Sequence, residues 1–204
     1  MEMTTTSYAI LSLLSVRPWT TYELAQQMDR SVGHMWARAA SVVYEEPKRL
    51  VRRGMAESTR EYTGRRPRTV YSITDAGREA LAAWLAEPGS EPTVEFEALL
   101  KVAFADHGSI DALRANLAAI REYAERDHDA SVQRMTEYAE TGGPYPDRLP
   151  VIALAARYFV EQGAAIRRWV AWAEAATRDW TGVTPATGAH VPPDAFTTPT
   201  TDPE

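Results

Sequence analysis

Cysteine is absent from the sequence. This absence excludes a disulfide framework, a thiolate metal site and a cysteine nucleophile. Histidine is scarce, and the four histidines His34, His107, His128 and His190 are scattered without the spacing of a metal site. No phosphate-cradling glycine loop or nucleophile motif is present either. We therefore expect a protein that is not an enzyme and that carries no cofactor and no metal.

Long apolar runs are also missing. The N-terminal apolar stretch from Tyr8 to Val16 is short, contains Ser12 and Ser15, and is preceded by Glu2 rather than by basic residues. It fits neither a signal peptide nor a membrane-spanning helix. With 45% apolar and 25% charged residues, the chain has the balance of a soluble globular protein. The sequence predicts a cytoplasmic location and no membrane partner.

The chain lacks a net positive charge, since its formal charge is −6. The charges are nevertheless unevenly placed: residues 1–87 hold 12 Lys and Arg against 10 Asp and Glu, whereas residues 88–204 hold 10 against 18. Residues 38–68 alone carry nine basic and four acidic side chains. Such a local basic patch is typical of a DNA-binding module, although charge alone fits a solvated surface equally well.

Hydrophobic periodicity predicts three helices in the first half of the chain. The first covers "YAILSLL", with an N-cap among residues 5–7, and the second begins after Thr20 or Thr21. The third covers "SVVYEEPKRLVRRGM", residues 41–55, where Gly54 takes the position of a left-handed C-cap. On a helical wheel, its apolar side chains separate from a polar face that we expect to contact DNA.

The pattern then changes to alternation. "MAESTREY" and "RTVYSIT" read as two strands joined by the basic turn "TGRRP", and Thr74 or Asp75 begins a further helix. Three helices followed by a hairpin with a cationic tip predict a mainly α protein with an N-terminal winged helix-turn-helix and a two-stranded wing. In that arrangement the third helix enters the major groove, and the arginines of the wing reach an adjacent phosphate backbone or minor groove.

The stretches "GHMWARAASVVYEEPKRLVRRGMAES" and "GRRPRTVYSITDAGREALAAWL" resemble the PadR family of bacterial transcriptional regulators over roughly residues 7–87. Members of that family carry a Gly-His-aromatic-Trp stretch, a Tyr-containing recognition helix with a basic "KRL" run, and a Gly-Arg-Pro wing tip. The corresponding stretches here are "GHMW", "YEEPKRL" and "GRRP". The resemblance implies a dimeric, usually repressing regulator of double-stranded DNA, often released by a small effector such as a phenolic compound. It implies DNA contacts by Ser41, Tyr44 and Lys48 in the helix and by Arg65, Arg66 and Arg68 in the wing. We add Arg49 and Arg52 from the same basic helix.

One residue departs from this resemblance, because Pro47 stands where the family usually has an apolar residue such as leucine. A proline inside a helix removes a hydrogen bond and costs about 3 kcal/mol. Either the helix continues with a kink, which we favour, or it begins late at Pro47. The neighbouring Glu45 either accepts from a cytosine amino group or, as we favour, only repels phosphate.

The second half predicts a helical dimerisation domain over residues 88–180, after a winged-helix domain over 1–87. Two helical patterns of about 30 residues are longer than a small domain needs for its own core, which favours pairing with a second copy of the chain. Such a dimer would place two recognition helices on a palindromic operator. Trp169, Trp172 and Trp180 fit a core or dimer interface better than a ligand site. The Thr- and Pro-rich residues 181–204 predict a disordered tail.

A competing interpretation also starts from the winged helix. In it the dimer has lost specific DNA binding and serves as an interaction or small-molecule-binding module. Pro47 and the two glutamates that precede it are its best support.

Overall fold

The structure, a computed structural model, describes residues 3–28, 40–63 and 66–197, without the side chains of residues 40, 41, 63 and 66. The chain is mainly helical with a small antiparallel sheet, as the sequence predicts. It divides into two compact units, Met1–Pro92 and Thr93–Glu204. This division falls a few residues after the predicted domain boundary between residues 87 and 88.

The N-terminal unit has the element order of a winged helix. Its described elements are α1 (Thr5–Val16), β1 (Trp19–Thr20), α2 (Thr21–Gln27), α3 (Ala40–Arg52), β2 (Ala56–Thr63), β3 (Arg66–Ile73) and α4 (Asp75–Ala86). The Gly-His-Met-Trp stretch that contributed to the family resemblance lies between α2 and α3, outside the described residues.

Side-chain caps fix where these helices begin. The N-cap of α1 is Thr4, one residue before the predicted range, because Thr4 and Ser7 bond reciprocally to each other's backbone N–H. Thr20 and Glu23 form the same arrangement at α2. Burial acts to raise the pKa of Glu23, but hydrogen bonds from Thr20 and the charge of Arg17 outweigh it and hold that pKa below its ordinary value. Thr74 caps α4, as predicted.

The sheet extends the predicted wing. Strands β2 and β3 pair antiparallel from Ala56↔Ile73 to Thr63↔Arg66, so the pairing continues closer to the tip than the predicted strands do. A third strand, β1, pairs with β3 through Trp19 and Thr20. The sequence did not predict β1, because two residues are too short to show an alternating pattern.

The core of the N-terminal unit lies where α1 meets α2 and α3. Ile10, Leu11 and Leu14 of α1 are fully buried together with Leu24 and Leu50. On the other side of α1, the ring of Tyr8 stacks on Trp84 of α4. The ring centroids are 4.8 Å apart, and the angle between the ring planes is 6°. The helix α1 is therefore held by contacts on two of its sides.

The C-terminal unit is a long helical hairpin with a short helix beside it: α5 (Glu97–Ala103), α6 (Ile110–Thr141) and α7 (Leu149–Ala176). Leu113, Leu117 and Ile120 of α6 pack with Val170 and Ala173 of α7. The buried apolar stripe of α6 consists of Leu113, Leu117, Ile120 and Ala124. The stretch Pro146–Ala176 is long and apolar enough, by length and composition alone, to cross a membrane, a test that core helices of soluble proteins also pass.

The sequence predicts disorder from residue 181 onward, whereas the structure describes residues 181–197 as turns around a short 3₁₀ helix, Pro185–Thr187. The indole N–H of Trp172 donates to Asp194 over 2.9 Å, and Trp180 lies edge-on to His190. The residues in each contact are separated by ten or more positions, so the composition of the tail did not predict that they would meet. Residues 198–204 lie outside the described part of the chain.

Candidate nucleic-acid interface

The exposed face of α3 carries the side chains that the sequence assigned to DNA. Tyr44 is 40% exposed, and Lys48, Arg49 and Arg52 are exposed as well. Ser41 belongs to α3, but its side chain lies outside the described residues. The helix therefore places one aromatic ring and three cations on its outer side.

The opposite face of α3 is buried. Val43, Pro47 and Leu50 are at most 3% exposed, so the proline ring faces the core. The helix begins at Ala40 and continues without interruption through Pro47 to Arg52. The alternative of a late start at Pro47 is therefore wrong.

The end of α3 has the cap that the sequence predicts. Gly54 has φ +73°, its N–H donates to the carbonyl of Val51, and the N–H of Met55 donates to the carbonyl of Leu50. This pair of bonds is a Schellman motif. The start of α4 then packs closely on it: a Cβ at Gly77 would lie 2.1 Å from the carbonyl oxygen of Met55. These contacts fix the point where α3 stops and the wing begins.

The exposed cation Lys48 is paired with a carboxylate on its own helix. The Nζ of Lys48 donates to Glu45 Oε1 over 2.7 Å. The hydrogen bond and the charge of Lys48 lower the pKa of Glu45, and the same contact raises the pKa of Lys48. Glu45 thus reduces the positive field on the outer face of α3.

The second glutamate behaves differently from what the sequence suggested. We grouped Glu46 with Glu45 as an acidic pair, but Glu46 is only 3% exposed. Its Oε1 accepts from the hydroxyl of Ser7 over 2.5 Å, and its Oε2 accepts from Arg49 over 3.4 Å. The sequence does indicate this burial. Position 46 lies three residues after Val43 and four before Leu50, and this helical spacing places it on the apolar face of α3.

The wing contributes a third paired cation, Arg68. The guanidinium of Arg68 donates twice to Glu61 Oε2, over 3.1 and 2.7 Å, across the pairing of β2 and β3. Arg66 is placed in β3 opposite Thr63, but its side chain and all of Arg65 lie outside the described residues. Arg60, which we did not assign to DNA, is exposed and pairs with Thr69, so it lies on the other face of the wing from Arg68.

Comparison with known proteins now decides the family. The sequence model of the transcriptional regulator PadR-like family matches residues 10–83. The probable transcriptional regulator Rv1176c of Mycobacterium tuberculosis is 32% identical over 130 residues, covering 58% of this chain and 68% of that protein. The chain belongs to the PadR-like family of transcriptional regulators.

Further proteins are similar to this chain over less of their length or with fewer identical residues. The negative transcriptional regulator PadR of Bacillus subtilis is 30% identical over 99 residues, which is 48% of this chain and about half, 54%, of that protein. Its structure in complex with operator DNA has a TM-score of 0.72 at 21% identity and covers 84% of this chain and 98% of that chain. The structure of smu.1604c from Streptococcus mutans has a TM-score of 0.75 at 17% identity, over 84% and 99% of the two chains. These two structural likenesses support the shared fold.

The pairing of Glu45 with Lys48 can be measured directly. Lys48→Met removes the donor and the charge that lower the pKa of Glu45, so we expect the Glu45 carboxyl to titrate closer to the ordinary glutamate value. Carboxyl ¹³C shifts followed by NMR across an acid titration give the midpoint. Glu97 is the internal control, because Lys101 lowers its pKa in the same way in the C-terminal unit and is left intact. A Glu45 midpoint that does not move in Lys48→Met contradicts the pairing.

Proposed function

We propose that this PadR-like regulator is a homodimeric repressor that binds a palindromic operator through α3 and the wing and is released by a small aromatic effector. The observation that carries the proposal is the outer face of α3, where Tyr44, Lys48, Arg49 and Arg52 are exposed on a helix whose other side is buried. The proposed DNA-binding residues are Ser41, Tyr44, Lys48, Arg49, Arg52, Arg65, Arg66 and Arg68.

The physical case for DNA rests on how this face is supported. A single α-helix fits the major groove of B-DNA, and its exposed cations and aromatic ring can reach base edges and phosphates. The buried face of α3 and the cap at Gly54 fix the helix to the unit, so its outer side chains are presented from a rigid element. Bacillus subtilis PadR has been crystallised in complex with operator DNA, and this complex motivates the proposal of DNA as the partner of this chain.

The exposed cations of α3 should govern DNA affinity. In Lys48→Ala/Arg52→Ala, we expect affinity for a duplex from upstream of the protein's own gene to fall about tenfold or more. If both side chains contact phosphate, the slope of log K against log salt should become shallower by about 1.8, because each lost contact removes about 0.9. Fluorescence anisotropy over a salt series measures both quantities.

The matched control is Lys101→Ala/Arg126→Ala, which removes one lysine and one arginine from exposed positions of the C-terminal unit. We expect it to leave affinity and salt slope close to those of the parent. Parent affinity that is absent or independent of salt contradicts the DNA-binding proposal.

A specific observation also favours the second candidate function, a winged-helix dimer without specific DNA binding. Three of the proposed DNA contacts, Lys48, Arg49 and Arg68, are already paired with carboxylates, which are Glu45, Glu46 and Glu61 respectively. Phosphate would have to compete with these carboxylates for them. The salt series on the parent protein decides between the two functions, since a module that has lost DNA binding shows no salt-dependent affinity.

The proposal of a dimer rests on an exposed apolar stripe along the first half of α7. Val151, Leu154 and Tyr158 follow one another at intervals of three and four residues and are 59%, 76% and 57% exposed. Large apolar side chains that share one face of a long helix mark an interaction surface. A two-fold pairing of two chains would set two copies of α3 about 34 Å apart, the repeat of successive major grooves.

Introducing a charge into this stripe should separate the subunits. For Leu154→Glu we expect a monomer by sedimentation velocity at concentrations where the parent is a dimer, together with weaker binding to the upstream duplex. The side chain is exposed, so the chain itself should fold as before. Ala153→Glu is the control, because it adds the same charge at another exposed position of α7. Ala153 lies four residues before Arg157, on the side of the helix that carries the ion pair of Arg157 with Glu161. A Leu154→Glu variant that remains dimeric contradicts the assigned surface.

The proposal of an effector rests on an open, mainly apolar cavity of about 450 Å³ in the C-terminal unit. Leu100, Phe104 and Leu113 supply much of its apolar lining, and Lys101 and His107 lie at its wall. Bacillus subtilis PadR has been crystallised with p-coumaric acid, an aromatic acid of suitable size for such a cavity.

Filling the cavity should abolish effector binding. We expect p-coumaric acid to bind the parent in calorimetry and to release it from the upstream duplex. Ala112 lines the cavity, so Ala112→Trp should lose both responses while keeping DNA affinity. Ala119→Trp, at an exposed position of the same helix outside the cavity lining, should respond like the parent. Equal responses in the two variants contradict the cavity as the effector site.

Repression is the proposed direction of regulation, supported by the description of Bacillus subtilis PadR as a negative regulator. The virulence activator AphA of Vibrio cholerae, 25% identical with a TM-score of 0.60 over 84% of this chain and 95% of that chain, shows that this fold also occurs in an activator. The PadR-like family consists of transcriptional regulators. We propose a cytoplasmic location and a role without enzymatic chemistry on that ground.

A further inference from the structure

Glu46 is an acidic side chain buried on the inner face of the proposed recognition helix. Within residues 3–28, 40–63 and 66–197 it is the one carboxylate among the buried polar side chains, which are Thr6, Ser7, Glu46 and Thr177. A buried carboxylate costs free energy unless it is paired and hydrogen-bonded, so its position calls for partners on every side.

Both oxygens of Glu46 have such partners, one in the core of the unit and one at its surface. Oε1 accepts from Ser7, which is fully buried in α1 and also forms the capping box with Thr4. Oε2 accepts from Arg49, whose side chain is 46% exposed on the side proposed to face DNA. One carboxylate therefore connects the core of the unit to the edge of the DNA-facing surface.

The contact with Ser7 constrains α3 in a way that apolar packing does not. Hydrophobic burial is non-directional, so Val43 and Leu50 alone would tolerate small rotations of the helix. A 2.5 Å bond from a hydroxyl to a carboxylate is directional, and losing it would leave a buried acceptor unpaired. Ser7 does not yield easily either, because its neighbour Tyr8 is stacked on Trp84.

We propose that Glu46 is a positioning residue for DNA recognition: it sets the rotation of α3 on α1 and holds the guanidinium of Arg49 in place. The inference rests on the proposed DNA-binding function. By partly neutralising Arg49, Glu46 lowers affinity for any phosphate backbone, and by fixing Arg49 it raises the preference for one sequence over another. Its effect is therefore on discrimination between DNA sequences more than on total affinity.

The test compares Glu46→Gln, Arg49→Ala and the double variant on two duplexes: the upstream fragment and a scrambled fragment of equal length and composition. In Glu46→Gln the amide oxygen can still accept from Ser7, while the negative charge that faces Arg49 is lost. We expect affinity for the scrambled duplex to rise about twofold and the ratio of the two affinities to fall about fivefold. In the Arg49→Ala background, Glu46→Gln should change that ratio by less than about twofold, because the group through which it acts is absent.

Two further variants separate positioning from folding. Glu79→Gln makes the same chemical change at an exposed position of α4 and should leave the ratio unchanged. Ser7→Ala keeps the carboxylate and Arg49 but removes the tie to α1, and it should also lower the ratio. Circular dichroism and urea unfolding establish that each variant is folded under the assay conditions.

The outcomes distinguish the inference from the function on which it rests. A parent that binds neither duplex with salt-dependent affinity overturns DNA binding and this inference together. A parent that binds, with Glu46→Gln and Ser7→Ala leaving the ratio unchanged, overturns the positioning role alone. An effect of Glu46→Gln that is equally large with and without Arg49 also overturns it, because Glu46 would then act only through the stability of the unit.

Discussion

The packing of α3 against α1 is the contact on which the proposed function depends. Leu50 is fully buried in the same core as Ile10, Leu11 and Leu14, and this burial leaves the other side of α3 free for polar residues. The Schellman cap at Gly54 and the N-cap of α4 at Thr74 then define the far end of the helix. These contacts fix the position of α3 in the unit, and with it the outer face that carries the proposed DNA contacts.

The acidic residues around this surface have two distinct effects. Glu45 and Glu61 are partly exposed and neutralise Lys48 and Arg68, so they weaken attraction to any phosphate backbone. Exposed pairs of this kind contribute little to stability, and their main effect is on the local field. Glu46 is buried, and its bond with Ser7 ties the helix to α1. A chain with a formal charge of −6 thereby presents a cationic face whose strength is limited by its own carboxylates.

Local features of the fold could be predicted from the sequence, because caps and periodicity act over a few residues. Thr74, Gly54 and the polar face of α3 are examples. Features that depend on distant partners could not: Ser7 and Glu46 are 39 positions apart, and β1 exists only because β3 lies beside it. The contact of Asp194 with Trp172 is of the same kind, since the composition of the tail does not reveal a partner in α7.

Pro47 shows how the distant contacts and the local pattern are connected. A proline inside a helix costs about 3 kcal/mol, and it also disfavours the helical conformation of the residue before it, which here is Glu46. Burial of the ring offsets part of this cost at about 0.8 kcal/mol per methylene, but a leucine would bury as much without losing an N–H. The helix continues because tertiary contacts hold it on both sides of the proline: Ser7 binds Glu46 before it, and the core encloses Leu50 after it. The residue that proline most disfavours in a helix is thus the one that carries the directional bond to α1.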